Sequence, residues 1–285
     1  MTFWRAAART RFEAAHARRF RFDAQGIVQG AAGFTLPVST DSGIPRRAAL
    51  LLHGFNDTAQ SMAYLGAKLH ARGYTVRAPL LPGHGRDLAT MAAESRAARW
   101  REAVLAEYDA LRREYDTVTV VGQSMGGALA LLLAIERPEL PALVLLAPYV
   151  GMPRNLQWKV LGAWIASVAL PYLRSVGGET SIHDPTARAE SLGPGVVTAR
   201  TLTELRRVAE DAEAALARVW VPTLYLQSRD DNRITARDAE THFAALGSAD
   251  KRQEWLTGCG HIISADFCRN EVASLTADWL DAHVV

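Results

Sequence analysis

One segment in the middle of the chain constrains its fold more than any other. Residues 118–121 are the β-branched run Val-Thr-Val-Val, which leads into Gly122-Gln123-Ser124-Met125-Gly126 and then into a long apolar stretch. A buried strand followed by Gly-x-Ser-x-Gly and an apolar helix is typical of a sharp turn that lifts a serine hydroxyl out of the backbone. The segment therefore predicts a strand, a nucleophile at Ser124 and a buried helix, in that order.

A serine hydroxyl is a weak nucleophile by itself, so it needs a base within hydrogen-bond reach and a third group that orients the base. Downstream, His261 lies in Gly258-Cys259-Gly260-His261, and the acidic pair Asp230-Asp231 directly follows a predicted strand. Serine, then aspartate, then histidine is a known chain order for a catalytic triad. We therefore predict that His261 is the base and that one of the two aspartates orients it.

The two adjacent aspartates must point in different directions, so only one of them can face the histidine. An apolar residue, Ile234, follows Asp231 by three positions, and on this pattern we predict that Asp231 is the acid of the triad. Asp230 is expected to form the turn or to cap the helix that begins near Thr235.

Composition narrows the class of protein. A chain of 285 residues with 49% hydrophobic and 22% charged residues is typical of one large globular domain with insertions. The net charge is only +2 and the basic residues are interspersed with acidic ones, so nothing indicates a nucleic-acid partner. A small-molecule substrate is expected instead. The sequence contains no phosphate-binding loop and no cluster of metal ligands, and we expect neither a metal nor an organic cofactor.

The cysteines and the apolar runs bear on the compartment. Cys259 and Cys268 are too few for a disulfide framework and match no zinc or redox spacing. This favours a reducing compartment, with Cys259 as a small packed residue in a tight loop. No apolar run is long enough to span a membrane, and the N-terminus lacks the apolar core of a signal peptide. We predict a cytoplasmic location and leave the oligomeric state open.

Short apolar runs alternate with longer helical patterns over most of the chain. This alternation predicts a mostly parallel sheet with helices on both faces. The predicted strands are Ala48–Leu52, Tyr74–Ala78, Thr117–Val121, Ala142–Leu146, Thr223–Leu226 and Arg252–Leu256. The predicted helices are Ser61–Arg72, Ala97–Glu114, Met125–Glu136, Thr203–Arg218, Ala236–Leu246 and Asn270–Ala282.

A long insertion at residues 150–201 interrupts the alternation and contains many apolar residues, among them Trp158 and Trp164. It is either a helical segment packed on the main core or a cap over the serine whose inner face forms an apolar pocket. In the second case Trp158 and Trp164 are the predicted substrate-binding residues. The resulting division has an N-terminal extension, 1–45, a core formed by 46–149 and 202–285, and a cap formed by 150–201.

Two loops are predicted to meet the serine at the carboxyl ends of the strands, where parallel sheets bind ligands. His53-Gly54-Phe55 follows the first predicted strand, and the N–H groups of Phe55 and Met125 are the predicted donors to the oxyanion. The second loop, Pro82-Gly83-His84-Gly85, holds another histidine. We expect His84 to bond the backbone of its own loop and not to act as a second base.

These motifs together support a family resemblance. They are Leu51-Leu52-His53-Gly54-Phe55, Pro82-Gly83-His84-Gly85, Gly122-Gln123-Ser124-Met125-Gly126-Gly127, Arg229-Asp230-Asp231 with Ile234, and Gly260-His261. In order and spacing they resemble the bacterial carboxylesterase and monoacylglycerol lipase group of the α/β-hydrolase superfamily, from about Ala48 to the C-terminus. The resemblance implies an α/β-hydrolase fold with a small cap and hydrolysis of carboxylic esters.

The same resemblance implies Ser124 as the nucleophile, Asp231 as the acid, His261 as the base, and Phe55 and Met125 as the oxyanion donors. Two departures from the family pattern, Gln123 and Asn56-Asp57, are expected to change only the rim of the pocket. The alternatives are hydrolysis of a thioester, lactone, amide or carbon–carbon bond on the same triad, or a ligand-binding protein without catalysis.

The segment before the first predicted strand lies outside the resemblance. Trp4, Phe12 and several alanines recur at near-helical spacing, and most of the charged residues among them are arginines. We expect this helix to pack back on the domain or against another copy of the chain. Contact with an anionic membrane surface is the alternative.

Overall fold

A central sheet of mostly parallel strands organises the molecule. The computed structural model describes residues 2–38, 46–151, 154–167, 170–175 and 180–284, with the backbone alone for 2, 3 and 154–160. The strands among these residues are β1 (Phe34–Leu36), β2 (Arg47–Leu52), β3 (Thr75–Ala78), β4 (Thr117–Gln123), β5 (Leu143–Leu146), β6 (Leu173–Arg174), β7 (Val196–Val197), β8 (Thr223–Ser228) and β9 (Lys251–Leu256).

Seven of these described strands form the main sheet, in the order β1-β3-β2-β4-β5-β8-β9. All neighbours in it pair in parallel except β1, which runs antiparallel to β3. The short strands β6 and β7 pair with each other outside this sheet. The strand that precedes Ser124, β4, therefore lies in the middle of the sheet, between β2 and β5.

Helices cover both faces of the sheet. In the described part of the chain they are α1 (Thr2–Arg19), α2 (Ala63–Ala71), α3 (Leu88–Glu94), α4 (Ala97–Glu114), α5 (Met125–Glu136), α6 (Arg154–Ser167), α7 (Pro185–Glu190), α8 (Ala199–Ala215), α9 (Ala236–Ala245) and α10 (Arg269–His283). Short 3₁₀ turns at Ala59–Met62 and Leu216–Arg218 precede α2 and follow α8.

The core divides at the sheet into two clusters of buried side chains. Leu50 packs with residues of α4, α5 and α8, whereas its neighbour Leu51 packs on the other face with residues of α2 and α10. Side chains alternate between faces along a strand, so one apolar strand can contribute to both clusters. This explains why β2 and β5 contain continuous apolar runs in the sequence.

All six predicted strands are present, each within two residues of its predicted ends. The predicted parallel sheet with helices on both faces is confirmed. The sequence did not predict β1, because a strand of three residues is too short to show a period. Helix α8 begins at Ala199, four residues before the predicted start, where the hydroxyl of Thr198 accepts a hydrogen bond from the N–H of Thr201.

The two cysteines correct one expectation. Cys259 and Cys268 form a disulfide with their Cα atoms 5.8 Å apart, within the loop between β9 and α10. Cys259 is therefore not an unpaired packing residue, and the argument for a reducing compartment loses its basis. Two cysteines nine positions apart in a chain of 285 residues show no framework pattern, so their pairing depends on the fold of the loop. A cytoplasmic location stays a prediction.

Helix α1 packs back on the domain, as expected. The ring of Phe12 lies 5.9 Å from that of Tyr172, and the Tyr172 hydroxyl donates to Glu13 over 2.8 Å. Further along the helix, His16 is buried and its Nε2 lies 3.1 Å from the carbonyl oxygen of Arg86. In the described part of the chain, no helix combines the length and the apolar character needed to cross a membrane.

Candidate active site

The turn that carries Ser124 has the strained geometry that its sequence predicts. Ser124 has a φ of 55° and a ψ of −117°, between the end of β4 and the start of α5. A side chain at Gly122 would collide with the carbonyl of Gly126, and one at Gly126 would collide with the carbonyl of Leu52. The two glycines therefore allow the backbone to pass close enough for the serine to stand at the turn.

The three residues predicted as a triad lie in one hydrogen-bonded row. The Oγ of Ser124 is 2.8 Å from Nε2 of His261, and Nδ1 of His261 is 2.8 Å from Oδ2 of Asp231. Both imidazole contacts lie in the ordinary hydrogen-bond range. The structure thus brings together residues from the ends of β4, β8 and β9, although Ser124 and His261 are 137 positions apart in the chain.

The surroundings of Asp231 keep it ionised. Burial raises its pKa, but the attraction of His261 and the bonds from the N–H groups of Ile234 and Arg233 outweigh this effect, so the pKa of Asp231 lies below its ordinary value. An ionised carboxylate accepts a hydrogen bond from Nδ1–H of the imidazole. Nε2 of the neutral ring is then free to accept a hydrogen bond from the serine hydroxyl. Within the described residues, no three His, Cys, Asp or Glu side chains are grouped as metal ligands.

Asp230 points away from the histidine and does not cap a helix. Its Oδ2 accepts a hydrogen bond from the N–H of Gly258 over 2.7 Å, at the base of the loop that carries His261. Thr235 caps α9 with its own hydroxyl, which accepts from the N–H of Asp238. Asp230 lies in the turn that follows β8, which confirms the turn-forming alternative, and it does not cap α9 because Thr235 already supplies that acceptor.

Both predicted oxyanion donors belong to segments that touch the serine. A Cβ atom on Gly54 would lie 3.3 Å from the Cβ of Ser124, so the loop that carries Phe55 passes directly beside Ser124. Met125 is the first residue of α5, where backbone N–H groups lack helical partners. Neither the Phe55 nor the Met125 N–H donates to an acceptor among the described residues. Both groups are available to a ligand at the serine.

Two buried histidines, His53 and His84, bond the backbone of the loops around Phe55. Nε2 of His53 accepts from the N–H of Leu81 over 3.0 Å, and Nδ1 of His53 therefore donates to the carbonyl of Gly54 over 2.8 Å. Burial lowers the pKa of His53 to about 3, so the ring stays neutral in this role. His84 bonds the carbonyls of Leu81 and Pro82, which confirms that it serves its own loop.

Gln123 has a structural role that the sequence interpretation missed. It is fully buried, and its Nε2 donates to the carbonyl oxygen of His261 over 2.9 Å, while its Oε1 accepts from the N–H of Ser264 over 3.4 Å. The expectation that Gln123 lies at the rim of the pocket was therefore wrong. A polar residue at the end of an apolar strand was the available signal, since buried polar groups need partners.

Asp57 is the second departure from the family pattern that proves to be buried. Its carboxylate accepts a hydrogen bond from the hydroxyl of Ser61 over 2.6 Å, and the nearby N–H groups of Thr58 and Gly54 lower its pKa. The bond to Ser61 spans the segment that follows Phe55. Burial raises the pKa of Asp57 to about 6, against the lowering effect of these bonds and of His261.

The raised pKa of Asp57 predicts a pH dependence of stability. Its ordinary pKa is 3.8 and its folded-state pKa is about 6, so the folded protein binds the proton more tightly than the unfolded chain. The stabilising contribution of this proton is complete below the unfolded pKa and is lost as the pH rises through the folded pKa. Asp57→Asn cannot ionise. The native protein loses this contribution as the pH rises, whereas the variant does not. The difference in free energy of unfolding, variant minus native, is therefore expected to increase by about 1 kcal/mol between about pH 5 and about pH 7.5.

The measurement is urea unfolding of both proteins at the two pH values. A difference that stays constant, or one that changes in the opposite direction, would show that Asp57 does not bind its proton more tightly in the folded state.

Both tryptophans of the insertion, Trp158 and Trp164, lie on α6. Trp164 lies on α6, and its Nε1 donates to the hydroxyl of Thr203 on α8 over 2.9 Å, while the side chain is 47% exposed. No described contact joins it to the serine. Trp158 lies on α6 as well, but its side chain is outside the described ones. Their substrate-binding role stays a prediction.

The chain is similar in sequence to known proteins over most of its length. The chain matches the family described as serine aminopeptidase, S33, over residues 43–266. It is 28% identical over 235 residues to a thermostable monoacylglycerol lipase of Bacillus sp. H-257, covering 82% of this chain and 90% of that protein. It is 26% identical over 239 residues to a carboxylesterase of Bacillus subtilis, covering 82% and 92%.

Solved structures of lipolytic enzymes have the same fold as this chain. A structure of the metagenome-derived lipolytic enzymes LipS and LipT superposes with a TM-score of 0.77 at 26% identity, covering 89% of this chain and 98% of that one. The monoacylglycerol lipase of Paleococcus ferrophilus has the same fold, with a TM-score of 0.72 at 19% identity and coverage of 88% and 98%. The predicted fold class is confirmed. The chain belongs to the S33 serine aminopeptidase family of α/β-hydrolases and is a hydrolase of the esterase and lipase type.

Proposed function

We propose that the protein hydrolyses carboxylic esters through an acyl-enzyme formed on Ser124. The observation that carries the proposal is the row of two hydrogen bonds, each 2.8 Å long, from Ser124 through His261 to Asp231. Together with the free N–H groups of Phe55 and Met125, it supplies a base, an orienting acid and two oxyanion donors around one hydroxyl.

In the proposed reaction, Nε2 of His261 takes the proton of the Ser124 hydroxyl as its oxygen attacks the ester carbonyl. The tetrahedral oxyanion accepts hydrogen bonds from the N–H groups of Phe55 and Met125, and the proton on His261 passes to the leaving alcohol. Water then attacks the acyl-enzyme, with His261 again as the base, and the acid is released. Apart from the ester and water, these steps use side chains and backbone groups of the chain.

We propose esters of short to medium acyl chains, or monoacylglycerol-like esters, as the substrate class. The relatives named monoacylglycerol lipase and carboxylesterase support this choice. The same triad also serves thioesters, lactones and amides, and a panel of such substrates separates these reactions. A ligand-binding protein without catalysis is a weaker candidate, because all three members of the triad are present and bonded.

We propose further that residues 150–201 act as a cap between the core segments 46–149 and 202–285. Two contacts support this. A Cβ on Gly193 would lie 2.5 Å from the carbonyl oxygen of Asn56, beside the oxyanion loop, and the carbonyl of Ser181 accepts from the N–H of Ile262 over 2.9 Å, beside the base. The segment therefore reaches both sides of the serine. In this arrangement α6, with Trp158 and Trp164, forms the apolar part of the cap.

A fluorophosphonate probe tests the proposed nucleophile. We expect it to label the folded protein on Ser124 and to leave the protein unlabelled after unfolding in urea, because only the folded site holds His261 against the hydroxyl. Peptide mapping by mass spectrometry identifies the labelled residue. A folded protein that the probe does not label at residue 124 contradicts the proposal and favours a binding protein.

A further inference from the structure

A cation lies beside the triad that the proposed mechanism does not use. Arg233 follows the triad acid by two positions, and its side chain is half-buried. Its Nε donates to the hydroxyl of Ser181 in the cap over 3.2 Å. Burial lowers the pKa of this guanidinium, but arginine stays charged in proteins. The site therefore contains a positive charge with restricted access to water.

The guanidinium has little to neutralise it within the protein. Among the described residues, no carboxylate oxygen lies within ion-pair distance of Arg233, and its terminal N–H groups have no acceptor. Asp231 attracts it electrostatically. The oxygens of Asp231, however, are already bonded by His261, by the side chain of Gln227 and by two backbone N–H groups. Arg233 therefore retains donors for an external acceptor.

Tyr149 supplies a second polar group at the same place. Its N–H donates to the carbonyl oxygen of Ser124 over 3.0 Å, which fixes its backbone beside the nucleophile. Burial raises the pKa of Tyr149 to about 12, against the lowering effect of the nearby Arg233, so the hydroxyl stays protonated. No described group is hydrogen-bonded to this hydroxyl. Tyr149, whose backbone is bonded to Ser124, and Arg233, whose backbone is bonded to Asp231, thus bring a neutral O–H donor and a charged fork to the loops around the serine.

This pair of donors suits one kind of ligand group. A carboxylate accepts from the fork of a guanidinium and from a hydroxyl at the same time, and bonds between ions are stronger than neutral ones. Arg233 and Tyr149 follow β8 and β5, whereas Phe55 follows β2 on the opposite side of β4. A substrate whose carbonyl faces the oxyanion donors would therefore extend toward this pair.

We propose that Arg233 and Tyr149 form an anion subsite, so that the enzyme prefers esters carrying a carboxylate in the acyl or the alcohol half. This inference rests on the proposed esterase function. It differs from a purely structural role, in which Arg233 only holds the cap through Ser181, because a structural role predicts equal effects on charged and neutral esters.

The test compares matched esters. One pair is p-nitrophenyl hemiglutarate and p-nitrophenyl hexanoate, which places the charge in the acyl half. The other is p-carboxyphenyl butyrate and p-carbamoylphenyl butyrate, which places it in the alcohol half. In at least one pair, Arg233→Gln is expected to lower the ratio of kcat/KM, charged over neutral, by about 30-fold. The neutral ester of that pair should change by only a few-fold.

Two further variants keep the test decisive if Arg233→Gln does not fold. Arg233→Lys keeps the charge but loses the fork and should retain part of the ratio, whereas Tyr149→Phe keeps the ring and should lower the ratio by a few-fold. Labelling by the neutral fluorophosphonate reports whether each variant still has a working nucleophile.

Three results would overturn the anion subsite. They are a native protein that favours the neutral ester in both pairs, ratios that none of the variants changes, and equal losses on charged and neutral esters. A native protein that hydrolyses no ester and resists the probe would instead contradict the proposed function.

Discussion

Replacing Ser124 with alanine is expected to lower kcat for p-nitrophenyl butyrate by about 10⁶-fold. The hydroxyl is the only atom in the proposed row that forms a bond to the substrate, and alanine leaves His261 without a proton to accept. The remaining rate comes from the oxyanion donors and from binding, which still act on a water molecule. The change removes one oxygen from a buried position, so the fold should persist.

The measurement is the steady-state rate of nitrophenol release, together with the loss of the initial burst that an acyl-enzyme produces. Ser248→Ala is a matched control, because Ser248 is also buried and, among the described residues, its hydroxyl bonds only the carbonyl of Asp250. The control should retain the native rate within a few-fold. A Ser124→Ala protein that keeps more than a trace of the native rate would assign the reaction to another residue.

The second large effect is expected at Asp231. Asp231→Asn should lower kcat by about 10⁴-fold, because an amide favours the wrong tautomer of His261 and turns the lone pair away from the serine. The structure adds a reason for the loss to be specific, since Asp231 is ionised and its oxygens are fully bonded in the fold.

Asp230→Asn is the control for this measurement, at the adjacent position and with the same chemical change. The amide oxygen can still accept from the N–H of Gly258, so its kcat should stay within a few-fold of the native value. Comparable losses at both positions would mean that the substitutions act by disturbing the loop and not through the imidazole.

The features that the sequence predicted are those with a local signature. A buried parallel strand needs a continuous apolar run, and the Ser124 turn needs glycine where backbones cross, so β4 and its turn are visible in a short window. The choice of Asp231 over its neighbour also used local spacing. The placement of His261 required the chain order of a known family.

The missed features depend on contacts between distant residues. Gln123 bonds a carbonyl 138 positions away, and its type alone does not name that partner. Burial raises the pKa of Asp57, and the sequence alone does not show that this residue is buried. The pairing of Cys259 with Cys268 and the position of Arg233 beside Tyr149 likewise arise only when several loops fold together.

The bond from Gln123 to the backbone of His261 links two members of the proposed triad. Gln123 is the last residue of the strand that precedes Ser124, and its amide donates to the carbonyl oxygen of His261 itself. A shift of the His261 backbone away from Ser124 therefore requires this bond to break. In the proposed reaction, the strand in the middle of the sheet thus helps to hold the spacing between the hydroxyl and the imidazole.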